Sequence, residues 1–280
     1  MKCYFCSDLH LDKYCDLLNL ETFEKFINNN LLPAEVLLIA GDIANNKNLL
    51  IQFMKIVSSK YKYVLYVLGN HDLDVRKNKY NEKVAKYYCQ SIEKINNIDL
   101  ELKKYTNVIR LDGSNITEIN NIIFGGTMGM CDFTFSENRL NLPKEFSLCE
   151  WDNWYDNKIW NYLNNDPLAI LEDEQKKLDI IVKNKPKIIL THFVPIEVGI
   201  LPKYKDYMSS SFFYFEAKKY LDQLDNNTIW LCGHTHDAAK VGYINSSDNI
   251  INILINPIGY PWEYPHQANN LESNDFLIDI

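Results

Sequence analysis

Five apolar runs in this 280-residue chain end alike, in polar residues able to do chemistry. They are CYFCSDLH from Cys3, EVLLIAGD from Glu35, YVLYVLGNHD from Tyr63, KIILTHF from Lys187 and IWLCGHTH from Ile229. Each apolar part is short and rich in Ile, Val, Leu or Tyr, the composition of a strand buried on both faces. Segments 45–60, 78–96, 167–184 and 211–224 carry apolar residues at helical spacing. Strands alternating with helices predict a largely parallel α/β core.

Two stretches break the alternation. Residues 105–125 hold TNVIRLD, SNITEI and NIIFGG, separated by Gly, Ser and Asn-Asn, and read as antiparallel β-structure. Residues 239–256 repeat the pattern around a turn at 246–249. The expectation is two mixed β-sheets face to face with helices outside, in a single domain over 1–280. Residues 127–166 are dense in aromatics, among them Trp151, Trp154, Tyr155 and Trp160. They read either as a helix packing its aromatic face on a sheet or as a flap shaping one wall of a site. The aromatic stretch 204–215 invites the same two readings.

The net charge of −8 disfavours nonspecific binding to duplex nucleic acid, which needs a basic surface. Apolar runs stay well short of a membrane span, and the N-terminus reads as a first strand rather than a signal peptide. The seven Cys have no framework spacing, so reduced thiols in a cytoplasm are expected. Cys3 and Cys6 match C-x-x-C, but residues three apart on a strand face opposite sides.

Of six His, five (His10, His71, His192, His234 and His236) stand at or just past the carboxyl ends of the five runs. Ligands bind at that end of open α/β sheets. A lone His is most often structural; five at equivalent strand ends with acids beside them point to a metal or phosphate site. Asp8 and His10, two residues apart on an extended chain, can aim at one point. Asp8 and Asp42 are hard oxygen donors, His10, His192, His234 and His236 imidazole donors, and Asn70 offers a carbonyl oxygen. Seven donors exceed what one metal needs and fit two if one carboxylate bridges them. A two-metal site can clamp a phosphoryl group and acidify a water. Imidazole and oxygen donors without thiolate suit Mn, Fe, Zn or Co better than Mg or Ca. Gly41, Gly69 and Gly233 each precede a candidate ligand, where a missing Cβ permits a sharp turn or close approach.

Asp8-Leu9-His10, Gly41-Asp42, Gly69-Asn70-His71-Asp72, Thr191-His192 and Gly233-His234-Thr235-His236 resemble the five ordered motifs of the calcineurin-like metallophosphoesterases. The resemblance spans residues 8 to 236. It implies a four-layer αββα sandwich and two divalent metal ions, Mn favoured. Asp8, His10 and His236 would hold one metal, Asn70, His192 and His234 the other, with Asp42 bridging. His71 would sit over the phosphate with Asn70 and stabilise charge or protonate the leaving oxygen. Asp72 would hydrogen-bond and orient His71, or else serve as a helix N-cap. No covalent phosphoenzyme is implied, since the constellation holds no nucleophilic Ser or Cys.

The implied activity is hydrolysis of a phosphodiester or phosphomonoester by metal-activated water. The substrate would be a small phosphorylated molecule or a phosphoprotein, and neither a membrane nor duplex nucleic acid is expected as partner. A phosphoprotein or nucleotide phosphatase and a nuclease are alternatives within the same family. A non-catalytic protein-binding module would be expected to have lost ligands or the catalytic His, and all are present. Gly125-Gly126-Thr127 and Asn256-Pro257-Ile258-Gly259-Tyr260 are similar to segments of bacterial members. Ile258 stands where Arg is common there, so 256–260 is not counted among the site residues. Arg76 and Arg139 fall in loops where they could meet phosphate or face solvent, and His266 reads as a surface residue in a polar tail.

Overall fold

The computed structural model describes residues 1–75, 90–197 and 200–280. Among them the strands are β1 (Lys2–Cys6), β2 (Val36–Ala40), β3 (Tyr63–Val67), β4 (Val108–Arg110), β5 (Thr117–Ile119), β6 (Ile122–Gly126), β7 (Ile188–Leu190), β8 (Thr228–Cys232), β9 (Ala239–Ile244), β10 (Ile250–Ile255) and β11 (Leu277–Asp279). The helices are α1 (Glu21–Asn30), α2 (Lys47–Val57), α3 (Ser91–Leu102), α4 (Phe135–Leu140), α5 (Lys144–Trp151), α6 (Tyr155–Ile159), α7 (Pro167–Lys183) and α8 (Lys218–Leu221).

One sheet runs β11-β1-β2-β3-β4 and the other β5-β6-β7-β8-β10-β9. Each is parallel at its centre, with antiparallel β11 on one and antiparallel β5 and β9 on the other. The architecture is therefore two mixed sheets flanked by helices, as the α/β sandwich expectation requires. Every residue of β2 is buried, which is why its sequence is apolar without alternation. Asp166 caps α7 by accepting from the backbone N–H of Leu168 and Ala169, and Asn46 caps α2 through Asn48. Such a cap is worth about 1 kcal/mol.

Register does the positioning. Cys6 pairs with Ile39, and Ile39 with Tyr66, so the ends of β1, β2 and β3 lie level. Leu190 pairs with Leu231 and Leu231 with Leu254, which levels β7, β8 and β10. The two sheets are tied at this end: Ser7 N–H donates to the Asn256 carbonyl at 2.9 Å, and Ile258 N–H to the Ser7 carbonyl at 2.9 Å.

Three expectations need correction. Residues 105–125 do not form one antiparallel unit: β5 and β6 make the expected hairpin, but β4 joins the other sheet parallel to β3. Arg110 of β4 donates twice to Asp99 of α3, at 2.8 and 2.7 Å, and this tertiary pair holds β4 there. Segment 211–224 is not a helix. Ser211 and Phe212 end a short 3₁₀ turn, Tyr214 bridges Val194 in parallel with Phe215 N–H donating to the Val194 carbonyl at 3.1 Å, and only Lys218–Leu221 is α-helical. His266 is half-buried rather than a surface residue: its Nε2 lies 2.7 Å from Asn256 Oδ1, which anchors the tail to the end of β10. The helix expected over 78–96 is observed from Ser91 to Leu102, and residues 78–89, like Arg76, fall outside the described residues. The hairpin of β9 and β10 forms as expected.

Candidate metal centre

Five of the seven expected ligands stand in left-handed backbone: Asp8, His10, Asp42, His234 and His236, with φ between 43° and 71°. A non-glycine residue there costs on the order of 1–3 kcal/mol and persists only where its surroundings impose it. The restraints are visible. His10 N–H donates to the Asp42 carbonyl and Asp8 N–H to the Gly41 carbonyl, both at 3.0 Å, while His234 N–H donates to Asp8 Oδ1 at 3.0 Å. Gly69 lies so close to Asp42 that a Cβ on it would collide with the carboxylate.

These bends gather two donor sets. Asp8, His10, Asp42 and His236 each bring one ligand atom within 4.8 Å of the others, and so do Asp42, His192 and His234. Asp42 belongs to both. Its Oδ2 lies 3.8 Å from His10 Nε2 and its Oδ1 3.4 Å from His192 Nε2. Asn70 joins the second set, with Oδ1 2.8 Å from His192 Nε2.

The hydrogen bonds show which atoms are free to bind. His192 Nδ1 lies 2.8 Å from the Ala40 carbonyl, which can only accept, so Nδ1 carries the proton and Nε2 presents its lone pair. Asn70 Nδ2 donates to Asp156 at 2.7 Å, which turns Oδ1 towards that same Nε2. Two lone pairs 2.8 Å apart repel unless a cation or a proton lies between or beside them. Likewise, His236 Nδ1 is engaged by Glu263 at 2.7 Å, and its Nε2 meets His10 Nε2 at 2.9 Å. His234 Nε2 is held by the Phe212 carbonyl at 3.1 Å. The donor sets fit two divalent cations sharing Asp42.

The electrostatics of the site make the same demand. Burial pushes His10 and His234 down to about 3, so both are neutral donors. Burial also works against charge on His192 and His236. At His192 it is outweighed by Asp42, and at His236 by Asp8 and Glu263, so their pKa values stand at about 9 and about 10. Burial of Asp42 opposes its ionisation, but His192 and His71 hold its pKa well below the usual carboxylate range. Positive charge on His192 and His236 answers the buried carboxylates of Asp42 and Asp8, the same negative charge that a divalent metal would balance.

His71 stands beside this pair. Its backbone N–H donates to Asp42 Oδ1 at 2.8 Å, and its Nε2 is 3.9 Å from Asp42 Oδ2. Asp72 does not orient it. Asp72 instead accepts from Ile43 N–H, Ala44 N–H and Gly69 N–H at 3.0, 2.9 and 2.8 Å, and so ties the loop after β2 to the loop after β3. It is not a helix N-cap either: Asn70 precedes the short 3₁₀ turn at His71–Leu73. The partner of His71 Nδ1 is Asn45 Oδ1 at 3.3 Å, with the Asn45 amide fixed by donation to Asp74 at 2.7 Å.

The family profile described as calcineurin-like phosphoesterase matches residues 1–238. The chain belongs to that family. It is accordingly a metal-dependent phosphoester hydrolase. The phosphopantetheinyl hydrolase of Mycobacterium tuberculosis has a similar structure, with a TM-score of 0.70 at 14% identity over 99% of this chain and 94% of that one; at this identity the likeness is one of fold. A protein of unknown function from Aquifex aeolicus matches 54% of this chain and 72% of its own at 18% identity, with a TM-score of 0.24 that carries no argument. A search of curated proteins finds no match.

Several residues around the phosphoesterase site escaped sequence reasoning. Asp156 of α6 fixes the Asn70 amide, and Trp160 Nε1 donates to the Asn70 carbonyl at 2.7 Å. The aromatic segment thus touches the candidate ligand Asn70 while burying Trp151 against Phe133, Trp160 and Phe212. It does so as three short helices rather than one. Tyr260 stacks on His10 at 4.3 Å, and Glu263 follows three residues later. The segment from Asn256 carried a family signal, but Glu263 had none. Lys94, buried on α3, donates to the carbonyls of Asn45 at 2.7 Å and Asp74 at 3.0 Å; its place in a helical pattern gave no hint of this. Arg139 pairs with Glu197 at 3.8 Å and is 46% exposed. Cys3 and Cys6 are buried free thiols, and burial pushes Cys3 up to about 12. Among the described residues no helix is long and apolar enough to cross a membrane.

Proposed function

We propose that this chain hydrolyses a phosphodiester of a small molecule at a dinuclear centre, with manganese a suitable metal. The observation that carries the reading is the division of Asp42, whose two oxygens face two separate donor sets. Two divalent cations would supply Lewis acidity towards the phosphoryl oxygens and a water acidic enough to attack near neutral pH. Asp8, His10 and His236 would hold one, Asn70, His192 and His234 the other. His71 directs Nε2 to the side of Asp42 where the phosphoryl group would lie, and can stabilise its charge or pass a proton to the departing oxygen. Asn45 keeps that ring in one tautomer, because its Oδ1 can only accept and so leaves the proton on Nδ1.

The rim favours a diester. Tyr155 stands 5.2 Å from His71 between ring centroids, Tyr260 lies on His10 and Trp262 stacks on Tyr260 at 5.0 Å. Aromatic surfaces accept organic ester groups better than the second charge of a monoester. Protein reconstituted with Mn²⁺ should cleave bis-p-nitrophenyl phosphate faster than p-nitrophenyl phosphate, and Asp42→Ala should abolish both. Faster monoester cleavage would replace the diester reading with a phosphatase.

A further inference from the structure

Beside the second donor set lies a cavity of about 150 Å³. Trp154, Leu201, Tyr204 and Phe213 give it apolar walls, and Asp237 contributes a carboxylate. It adjoins the metal centre on three counts. The Phe213 ring lies 4.9 Å from that of His234. Thr235, another lining residue, stands in the chain between the candidate ligands His234 and His236. Trp154 donates its Nε1–H to Asp156 at 3.3 Å, and Asp156 in turn fixes Asn70.

We propose that this cavity receives an aromatic ring bearing hydrogen-bonding atoms, carried by one ester group of the phosphoester substrate; this rests on phosphoester hydrolysis at the adjoining centre. Size supports it, since an apolar protein cavity of about 150 Å³ holds one benzene. The three aromatic walls offer edge and face contacts that a ring uses and an alkyl chain does not. Asp237 adds a carboxylate that can accept a hydrogen bond, which a heteroaromatic N–H can supply and a plain hydrocarbon cannot. The cavity thus selects the organic part of the substrate, while the donor sets and His71 act on phosphorus.

The test measures binding rather than turnover. Methyl-, phenyl-, benzyl- and cyclohexylmethylphosphonate are titrated calorimetrically into the full chain loaded with Mn²⁺. The better of the two aromatic phosphonates should bind at least about tenfold more tightly than the methyl compound and more tightly than the cyclohexylmethyl compound. Ser209→Phe, which fills the cavity from its lining, should bring aromatic and methyl affinities within about twofold, and Leu201→Trp gives the same reading from another wall. Equal affinity of methyl and aromatic phosphonates for the unaltered protein overturns the proposal, as does equal affinity of the cyclohexylmethyl and aromatic compounds. Hydrolysis of bis-p-nitrophenyl phosphate is followed in parallel. If hydrolysis proceeds without aromatic preference, the pocket assignment alone fails; if aromatic preference appears without hydrolysis, the phosphodiesterase reading fails.

Discussion

The Nδ1 of His236 lies 2.7 Å from the carboxylate of Glu263, and the same carboxylate oxygen accepts from Tyr260 N–H at 2.8 Å. Glu263 thereby sets which His236 nitrogen carries the proton and leaves Nε2 facing Asp8 and His10. A ligand held by a carboxylate on its far nitrogen is more basic and better aimed. Glu263→Gln should therefore weaken metal binding by about 10- to 100-fold at the Asp8–His10–His236 set, with a smaller effect on the other set. Stepwise metal titration resolves the two, and equal losses at both sets would contradict this division.

Asp42 is predicted to serve both sets at once. Asp42→Asn keeps the volume and removes the charge, so metal content should fall at both positions. Elemental analysis of dialysed protein reads this directly; one metal retained at full occupancy would show that the carboxylate is not shared.

His71 and Asn45 are predicted to act on the reacting group rather than on metal retention. His71→Ala should lower turnover by about 10²- to 10⁴-fold with metal content unchanged. Asn45→Ala should give a smaller loss of the same kind, because the ring remains but its tautomer is no longer fixed. If either variant loses its metals together with activity, its role is structural.

Lys94 is a buried ammonium among Asp12, Asp72 and Asp74. Burial pulls its pKa down to about 8, with the nearby carboxylates acting against that fall. Lys94→Met removes the cation and leaves buried carboxylates uncompensated, a change that typically costs about 3–5 kcal/mol. Denaturant unfolding of the two proteins measures it. A loss under about 1 kcal/mol would mean that the packing of α3, not the charge, holds the loops after β2 and β3.

His266 gives a pH dependence. Burial lowers its pKa below 6.5. Around that pH the unfolded chain binds more protons at this residue than the folded one, so its contribution to stability is present above 6.5 and lost as pH falls through that range. His266→Gln keeps a donor towards Asn256 Oδ1 and removes the titration. The fall in Tm between pH 7.5 and pH 5 should be smaller in the variant; an identical fall would assign the acid sensitivity elsewhere.

The motifs were legible because each strand has to be apolar to be buried and then polar where it reaches the site. That contrast survives in one dimension at GNHD and GHTH, and it marked seven donors and His71 without coordinates. Helices α2 and α7 were legible for the same kind of reason, their apolar spacing being local. Segment 211–224 was not, since Phe213–Phe215 trades helical spacing for pairing with Val194.

The sequence by itself determined the α/β class, the donors and their order along the chain, because burial and ligand chemistry act through residue type. Only the tertiary structure decided the partners of those donors. The left-handed turns at Asp8, His10, Asp42, His234 and His236 exist because neighbouring strand ends hold them. Asp72 pins loops instead of His71, and Glu263 and Asp156 reach candidate ligands 27 and 86 positions away. A hydrogen bond depends on position to within tenths of an ångström, and that position is set by strand register and packing rather than by spacing along the chain.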